Sequence, residues 1–274
     1  MALLIHRWSQ SNNNYKNHFL TTPKFIMKNL AFYSFLLCSI MTLTWACDKD
    51  DDNDPQVITG AGNIQAAIDE YRALLGTNNG STAGSQTSGR REISWDGVPD
   101  SLSAPNYLPH DFFKARGADF TTPGLGVQVS ADQSNPSGAY PSFGNINPNY
   151  QAIFPAFSAE RLFSPIGSNV VDLRFYVPGS TTPAVVRGFG AVYVDVDVNE
   201  NTAFEYFDIN DQSLGVYATP TQNNGHVFLG VLFDTPIVHR VRIEYGNTAL
   251  GPDDGGSVDV SVMDDFVFGE PQEN

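Results

Sequence analysis

From Arg90 onward, apolar residues recur at every second position. Residues 170–177 place Leu173, Phe175 and Val177 on one face. Residues 238–245 turn Val241, Ile243 and Tyr245 inward and Arg240, Arg242 and Glu244 outward. Residues 192–198 align Val192, Val194, Val196 and Val198 opposite Tyr193, Asp195, Asp197 and Asn199. A helix repeats every 3.6 residues and cannot sort side chains this way, whereas a pleated strand does so necessarily. Residues 227–233 are apolar on both faces, as in an interior strand. Further strands are expected at 92–95, 126–131, 157–163, 203–209, 213–218 and 258–268, punctuated by Gly, Pro, Asn and Asp. Short strands in this number predict an all-β domain over 90–274, an antiparallel β-sandwich of jelly-roll-like form.

One helix precedes it. Ile64, Ala67, Ile68, Tyr71, Leu74 and Leu75 fall at helical spacing within 63–76, with Asn63 or Gly62 to cap the start and Gly76 to end it. Residues 77–89 are rich in Gly, Ser, Thr and Asn and read as a flexible loop. A short helix on such an arm would be marginal alone, so it is expected to pack on the sandwich.

The charge distribution explains the N-terminus. Residues 1–46 hold four of the 15 Lys and Arg and none of the 30 Asp and Glu, which leaves a net charge of −19 on the rest. Met27-Lys28-Asn29 followed by the apolar run 30–45 and Ala46 reads as a secretory signal over 27–46. The run is shorter than the roughly 20 residues of a spanning helix. Residues 1–26 carry no pattern, so translation is expected to start at Met27. Leu43-Thr-Trp-Ala-Cys47 resembles a bacterial lipoprotein signal, which implies lipidation of Cys47. Asp48, Asp50, Asp51, Asp52 and Asp54 follow in an acidic tether over 47–62. A solvated charge run keeps a tether extended. This run also resembles the export signal of surface lipoproteins in Gram-negative bacteria. Outer-membrane anchoring with surface display is therefore expected, with the periplasmic side as the alternative. Cys38 leaves with the signal, so the mature chain has no disulfide.

Composition excludes several classes. With 19 Phe, 11 Tyr and 3 Trp, the chain is too aromatic to be disordered. Its acidity argues against a nucleic-acid partner. It contains no Gly-x-Ser-x-Gly, no His-Glu-x-x-His and no phosphate loop. His110, His226 and His239 are spaced uninformatively, and so many acids do not single out a glycosidase pair.

Arg90-Arg-Glu-Ile-Ser-Trp-Asp-Gly-Val-Pro-Asp100, Phe143-Gly-Asn-Ile-Asn147, Phe204-Glu-Tyr-Phe-Asp208, Arg240-Val-Arg-Ile243 and Met263-Asp-Asp-Phe266 together resemble a family of bacterial secreted β-sandwich domains without an assigned biochemical activity. The likeness spans most of 63–270. It implies fold and secretion and transfers no site residues. The Asp-Asp-Phe strand also resembles those of lectin-like jelly rolls, which often hold structural Ca²⁺.

Ca²⁺ needs six to eight oxygens. On a regular strand Asp264 and Asp265 face opposite sides, so one points at the core and needs a loop or a cation. Asp96 and Asp100 are the expected co-ligands; the alternative is pairing with Arg90 or Arg91, or with loop amides. Asp195-Val-Asp197-Val-Asn199 has the spacing of an EF-hand loop, but Glu200 stands where Gly is required and Tyr206 where Glu is. Alternation assigns these acids to the solvent side of a strand. Tyr107, Tyr140, Phe143 and Tyr150 lie in Asn/Pro/Ser-rich loops and form a candidate glycan platform; the alternative is that they roof the core. The expectation is a non-catalytic surface module that binds a glycan or matrix component, with Ca²⁺ as cofactor. The alternative is a structural or adhesion subunit that binds protein partners through exposed strand edges.

Overall fold

A computed structural model describes residues 54–135 and 140–274. Cys47, the signal segment and the acidic tether as far as residue 53 lie outside these residues. In chain order the elements are β1 (Gln56–Ala61), α1 (Gln65–Leu75), β2 (Arg90–Ile93), β3 (Ala118–Thr121), β4 (Gly126–Val129), α2 (Tyr150–Ile153), β5 (Phe163–Ile166), β6 (Val170–Phe175) and β7 (Ala184–Val185). Then come β8 (Gly188–Val196), β9 (Ala203–Phe207), β10 (Ser213–Ala218), β11 (Gln222–Leu232), β12 (Arg240–Glu244), β13 (Val262–Gly269) and β14 (Gln272–Glu273). A seven-stranded sheet runs β1-β11-β8-β13-β5-β4, with β2 also paired to β13. A five-stranded sheet runs β10-β9-β12-β6-β3. The paired strands are antiparallel. This is an all-β antiparallel sandwich.

The main core lies between the sheets. Phe189, Ala191 and Tyr193 of β8, with Met263, Phe266 and Phe268 of β13, meet Leu173, Phe175, Phe204, Tyr206, Val241 and Ile243 of the smaller sheet. Trp95 seals one end. Its ring stacks on Phe163 at 4.2 Å, and its indole Nε1–H donates to the Asp264 carbonyl at 2.8 Å.

The outer face of the larger sheet is covered as well, which alternation does not show. Ile64, Ile68, Tyr71 and Leu75 pack on Val192, Phe228 and Val267. Phe143, Tyr150, Phe154 and Leu162 cover Val194, Val260 and Val262. Hence every residue of β8 and of β13 is buried.

The α1 packing depends on missing side chains. Gly190 and Gly230 pair directly across β8 and β11. A Cβ on Gly230 would lie 2.8 Å from the Tyr71 ring. The Tyr71 hydroxyl donates to the Val231 carbonyl at 3.0 Å. Gly230→Ala is therefore expected to lower stability by ~1–3 kcal/mol through overpacking. Urea unfolding measures this, and an unchanged midpoint would contradict the packing argument.

Several boundaries differ from the sequence expectation. The tether stops short of 62 because Gln56–Ala61 pairs with β11 as an edge strand. Ile64 is the N-cap of α1, and the Asn63 Oδ1 accepts from the Gln65 amide at 3.4 Å. Residues 157–162 form no strand, because they bend around acidic side chains; pairing starts at Phe163. Likewise β13 begins at Val262 rather than at 258. Residues 77–89, expected as a flexible loop, are clamped to the sandwich. Buried Arg91 donates to the carbonyls of Gly80 at 3.0 Å, Thr82 at 2.7 Å and Gly84 at 3.2 Å. Arg240, expected to face out, is 6% exposed, with its guanidinium 3.6 Å from the Phe207 ring centroid. Among the described residues, no helix is long and apolar enough to cross a membrane.

Candidate functional site

At one end of β8 the ladder breaks. Gln222 pairs with Val196 and His226 with Val194, so residues 223–225 bulge opposite Asp195. Both sides of the bulge take the left-handed conformation, Asp195 at φ 65° and Asn224 at φ 49°. Non-glycine residues hold that region at a cost, and such strain is concentrated at functional sites. The result is a buried carboxylate. Asp195 is fully buried, and its Oδ1 accepts from the Asn224 amide at 2.7 Å. The solvent-side reading of Asp195 is thereby overturned: Tyr193 and Val196 both face the inter-sheet core, so the alternation flips at Asp195, which is buried beside Asp197 and Asp254.

Asp197 and Asp254 meet Asp195 there. One carboxylate oxygen from each lies within 4.8 Å of the others. Asp254 arrives from the 246–260 loop, where Gly255 and Gly256 take the positive φ values that let the chain turn back. Its Oδ1 accepts from the Val260 amide at 3.1 Å. Fully buried Asp259 lies alongside and accepts from the amides of Asp197 and Val198, both at 3.3 Å.

The electrostatics are unbalanced. None of the ion pairs among the described residues involves these four acids. Asp195 Oδ2 and Asp197 Oδ1 are buried without a hydrogen-bond partner. Burial pushes the Asp195 carboxyl up to about 7, and Asp254, Asp197 and Asp259 add repulsion against the lowering effect of the Asn224 amide. Burial, followed by the charge of Asp197, also raises Asp254 and Asp259. Orphaned buried carboxylate oxygens are costly unless paired or coordinating a cation. The triad could hold a metal ion.

The residues first expected to bind metal are distributed differently. Register slips by one residue between Met263 and Phe266. This bulge places Asp264 and Asp265 around one hydroxyl instead of on opposite faces. The Ser158 Oγ lies 3.0 Å from Asp264, 2.9 Å from Asp265 and 3.4 Å from Asp96. Asp264 Oδ2 accepts from the amides of Phe157 at 2.7 Å and Ser158 at 3.2 Å. Loop amides thus meet Asp264, as the alternative expected. Asp100 stands apart, paired with Arg161 at 2.5 Å. Arg91 and Arg90 pair with Glu270 and Glu92 instead, while Arg72 approaches Asp265 at 3.8 Å.

Burial raises the Asp264 carboxyl to about 7, with the charge of Asp265 second. An ordinary Asp titrates near ~3.9. Between these values the folded state binds more protons than the unfolded state, so stability falls as pH rises from about 4 to 7. Asp264→Asn, neutral throughout, is expected to flatten that slope. Melting temperatures at pH 5 and 8 and constant Ca²⁺ check this, and an unaltered slope would refute it.

The aromatic platform divides in two. Phe143 and Tyr150 are fully buried and roof the third core cluster, so they are corrected to packing residues. The Tyr150 hydroxyl donates to the Pro252 carbonyl at 2.8 Å. Tyr107 and Tyr140 remain 45% and 57% exposed. The histidines do not converge. His110 Nδ1 lies 2.7 Å from Asp119, His226 Nε2 2.8 Å from the Pro155 carbonyl and His239 Nδ1 2.8 Å from the Ala184 carbonyl.

Fold and site together define an antiparallel β-sandwich with an all-oxygen acidic cluster. No protein-family model and no curated protein matches the chain. Periodicity does not mark Asp254, because acids in Gly-rich turns carry no periodic signal. The doublet Asp253-Asp254 before Gly255-Gly256 was the available cue.

Proposed function

We propose that the protein is a lipid-anchored, non-catalytic cell-surface module that recognises glycans or matrix polymers, with Ca²⁺ bound by Asp195, Asp197 and Asp254. The observation that carries the cation is the pair of buried, donorless oxygens on Asp195 and Asp197. An all-carboxylate set suits a hard cation, whereas Zn²⁺ favours nitrogen and sulfur ligands. Ca²⁺ tolerates irregular geometry and takes water where the cluster is half-buried; Mg²⁺ demands a near-ideal octahedron. The ion offsets much of the cluster's negative charge and fixes the 246–260 loop against β8.

The signal and acidic tether support anchoring through Cys47, and protease shaving of intact cells tests surface display. Glycan recognition is tested by a glycan array probed with Ca²⁺-loaded protein. The expected result is binding to a restricted set of neutral glycans, and a blank array would refute the reading. One observation favours the alternative of a protein partner. Strand β10 ends the smaller sheet and leaves Val216 63% exposed on a free edge.

A further inference from the structure

A cleft separate from the acidic cluster opens where the Lys114–Arg116 turn, the start of β3 and the turn after β6 come together. It encloses about 280 Å³ and is lined by His110, Asp111, Lys114, Asp119, Tyr176 and Ser180, among others. Ligand sites begin near roughly 300 Å³, so this cleft takes a single ring rather than a buried chain. Its wall needs a glycine. Gly117 sits at φ 80°, and a Cβ there would lie 2.2 Å from the Tyr176 carbonyl. The Lys114 carbonyl accepts from the amides of Gly117 at 2.9 Å and Gly179 at 2.8 Å, which ties both rims together. The cleft is therefore built by the backbone and does not rely on loop movement.

Its chemistry is mixed. Lys114 is the sole lysine after Lys49. Among the described residues its ammonium joins no ion pair. Asp119 orients the His110 ring at 2.7 Å. Tyr176 supplies an aromatic surface, held edge-on to His239 with centroids 6.2 Å apart. Donors, carboxylate acceptors and one ring in a small cleft match a polyol with an apolar face. An anionic ligand meets two carboxylates against one lysine on a chain of net charge −15.

We propose that this cleft, rather than the aromatic loops, binds one neutral pyranose unit of a glycan. The carboxylates of Asp111 and Asp119 accept from ring hydroxyls, Lys114 donates and Tyr176 stacks on the ring. This inference rests on the glycan-recognition reading. The test titrates the full chain, Ca²⁺-loaded, with methyl pyranosides of glucose, galactose, mannose and N-acetylglucosamine, and with glucuronate as the acidic control. Lys114→Met, Asp119→Asn and Tyr176→Ala are compared with wild type, with melting curves to confirm folding. At least one neutral pyranoside is expected to bind, with about tenfold or greater weakening in Lys114→Met, where a charge-assisted hydrogen bond is lost. Binding that survives all three folded variants would overturn the cleft while sparing glycan recognition. Glucuronate binding more tightly than the neutral sugars would overturn the ligand class. No binding of any probe to wild type would overturn the cleft, and a blank glycan array would overturn the reading it rests on.

Discussion

Saturating Ca²⁺ is expected to raise the melting temperature of metal-free protein by about 5–10 °C. A ligand that binds only the folded state at a hundredfold excess over Kd adds ~2.7 kcal/mol. For a domain of this size each kcal/mol moves the midpoint by roughly 2–4 °C. The cluster has the features that make such binding conditional on folding. Asp195 and Asp254 are far apart in sequence, and the β11 bulge opposite Asp195 exists only in the paired sheet. Asp195→Asn should separate the two energetic consequences. It removes a buried charge, so the metal-free protein should melt no lower than wild type. It also removes a ligand, so the Ca²⁺ response should fall to a small fraction. Mg²⁺ should produce a smaller shift than Ca²⁺. If EDTA and Ca²⁺ leave wild-type melting unchanged in differential scanning calorimetry, the cation assignment is wrong.

Arg91→Met should cost ~3–5 kcal/mol, the usual penalty for stranding one partner of a buried ion pair. The Arg91 side chain is fully buried, and its Glu270 partner is 2% exposed. Two parallel hydrogen bonds join them, Nε to Oε2 at 2.8 Å and Nη2 to Oε1 at 2.6 Å. Methionine replaces the apolar stem, ends short of the guanidinium and leaves the carboxylate with neutral donors only, the Gln86 amide and the Asn79 side chain. The carbonyls of Gly80 and Thr82 lose their donor in the same step, and that of Gly84 keeps only the Gln86 side chain. The 77–89 loop should then release, so limited proteolysis should cut there first. Adding Glu270→Gln should recover part of the loss, because the uncompensated charge disappears. Urea unfolding of the single and double variants decides this. A single-variant loss below about 1 kcal/mol, the range of an exposed pair, would mean that the clamp is not electrostatic.

Much of the sandwich was legible because alternation is a local property. The face assignment of Leu173, Phe175, Val241 and Ile243 follows from the pleat, and the structure buries all four. Helix α1 was legible for the same reason at its own period, with Ile68, Tyr71 and Leu75 buried. The doublet Asp264-Asp265 was rightly singled out as costly to bury, but its geometry was not legible. Period two assigned the two acids to opposite faces, and a one-residue bulge brought both to Ser158. The same limitation misplaced Asp195, where the alternation flips opposite two extra residues in a partner strand. Phe143 and Tyr150 looked like exposed loop aromatics because nothing local marks the outer face of a sheet as covered.

The sequence by itself determined the strand-rich architecture and the amphipathic helix α1, both of which follow from short-range periodicity. Only the tertiary structure decided which acids converge, which arginines are buried and where a cleft opens. Those outcomes depend on register and bulges between strands distant in the chain. A shift of one residue reverses the direction of a side chain without changing any local pattern.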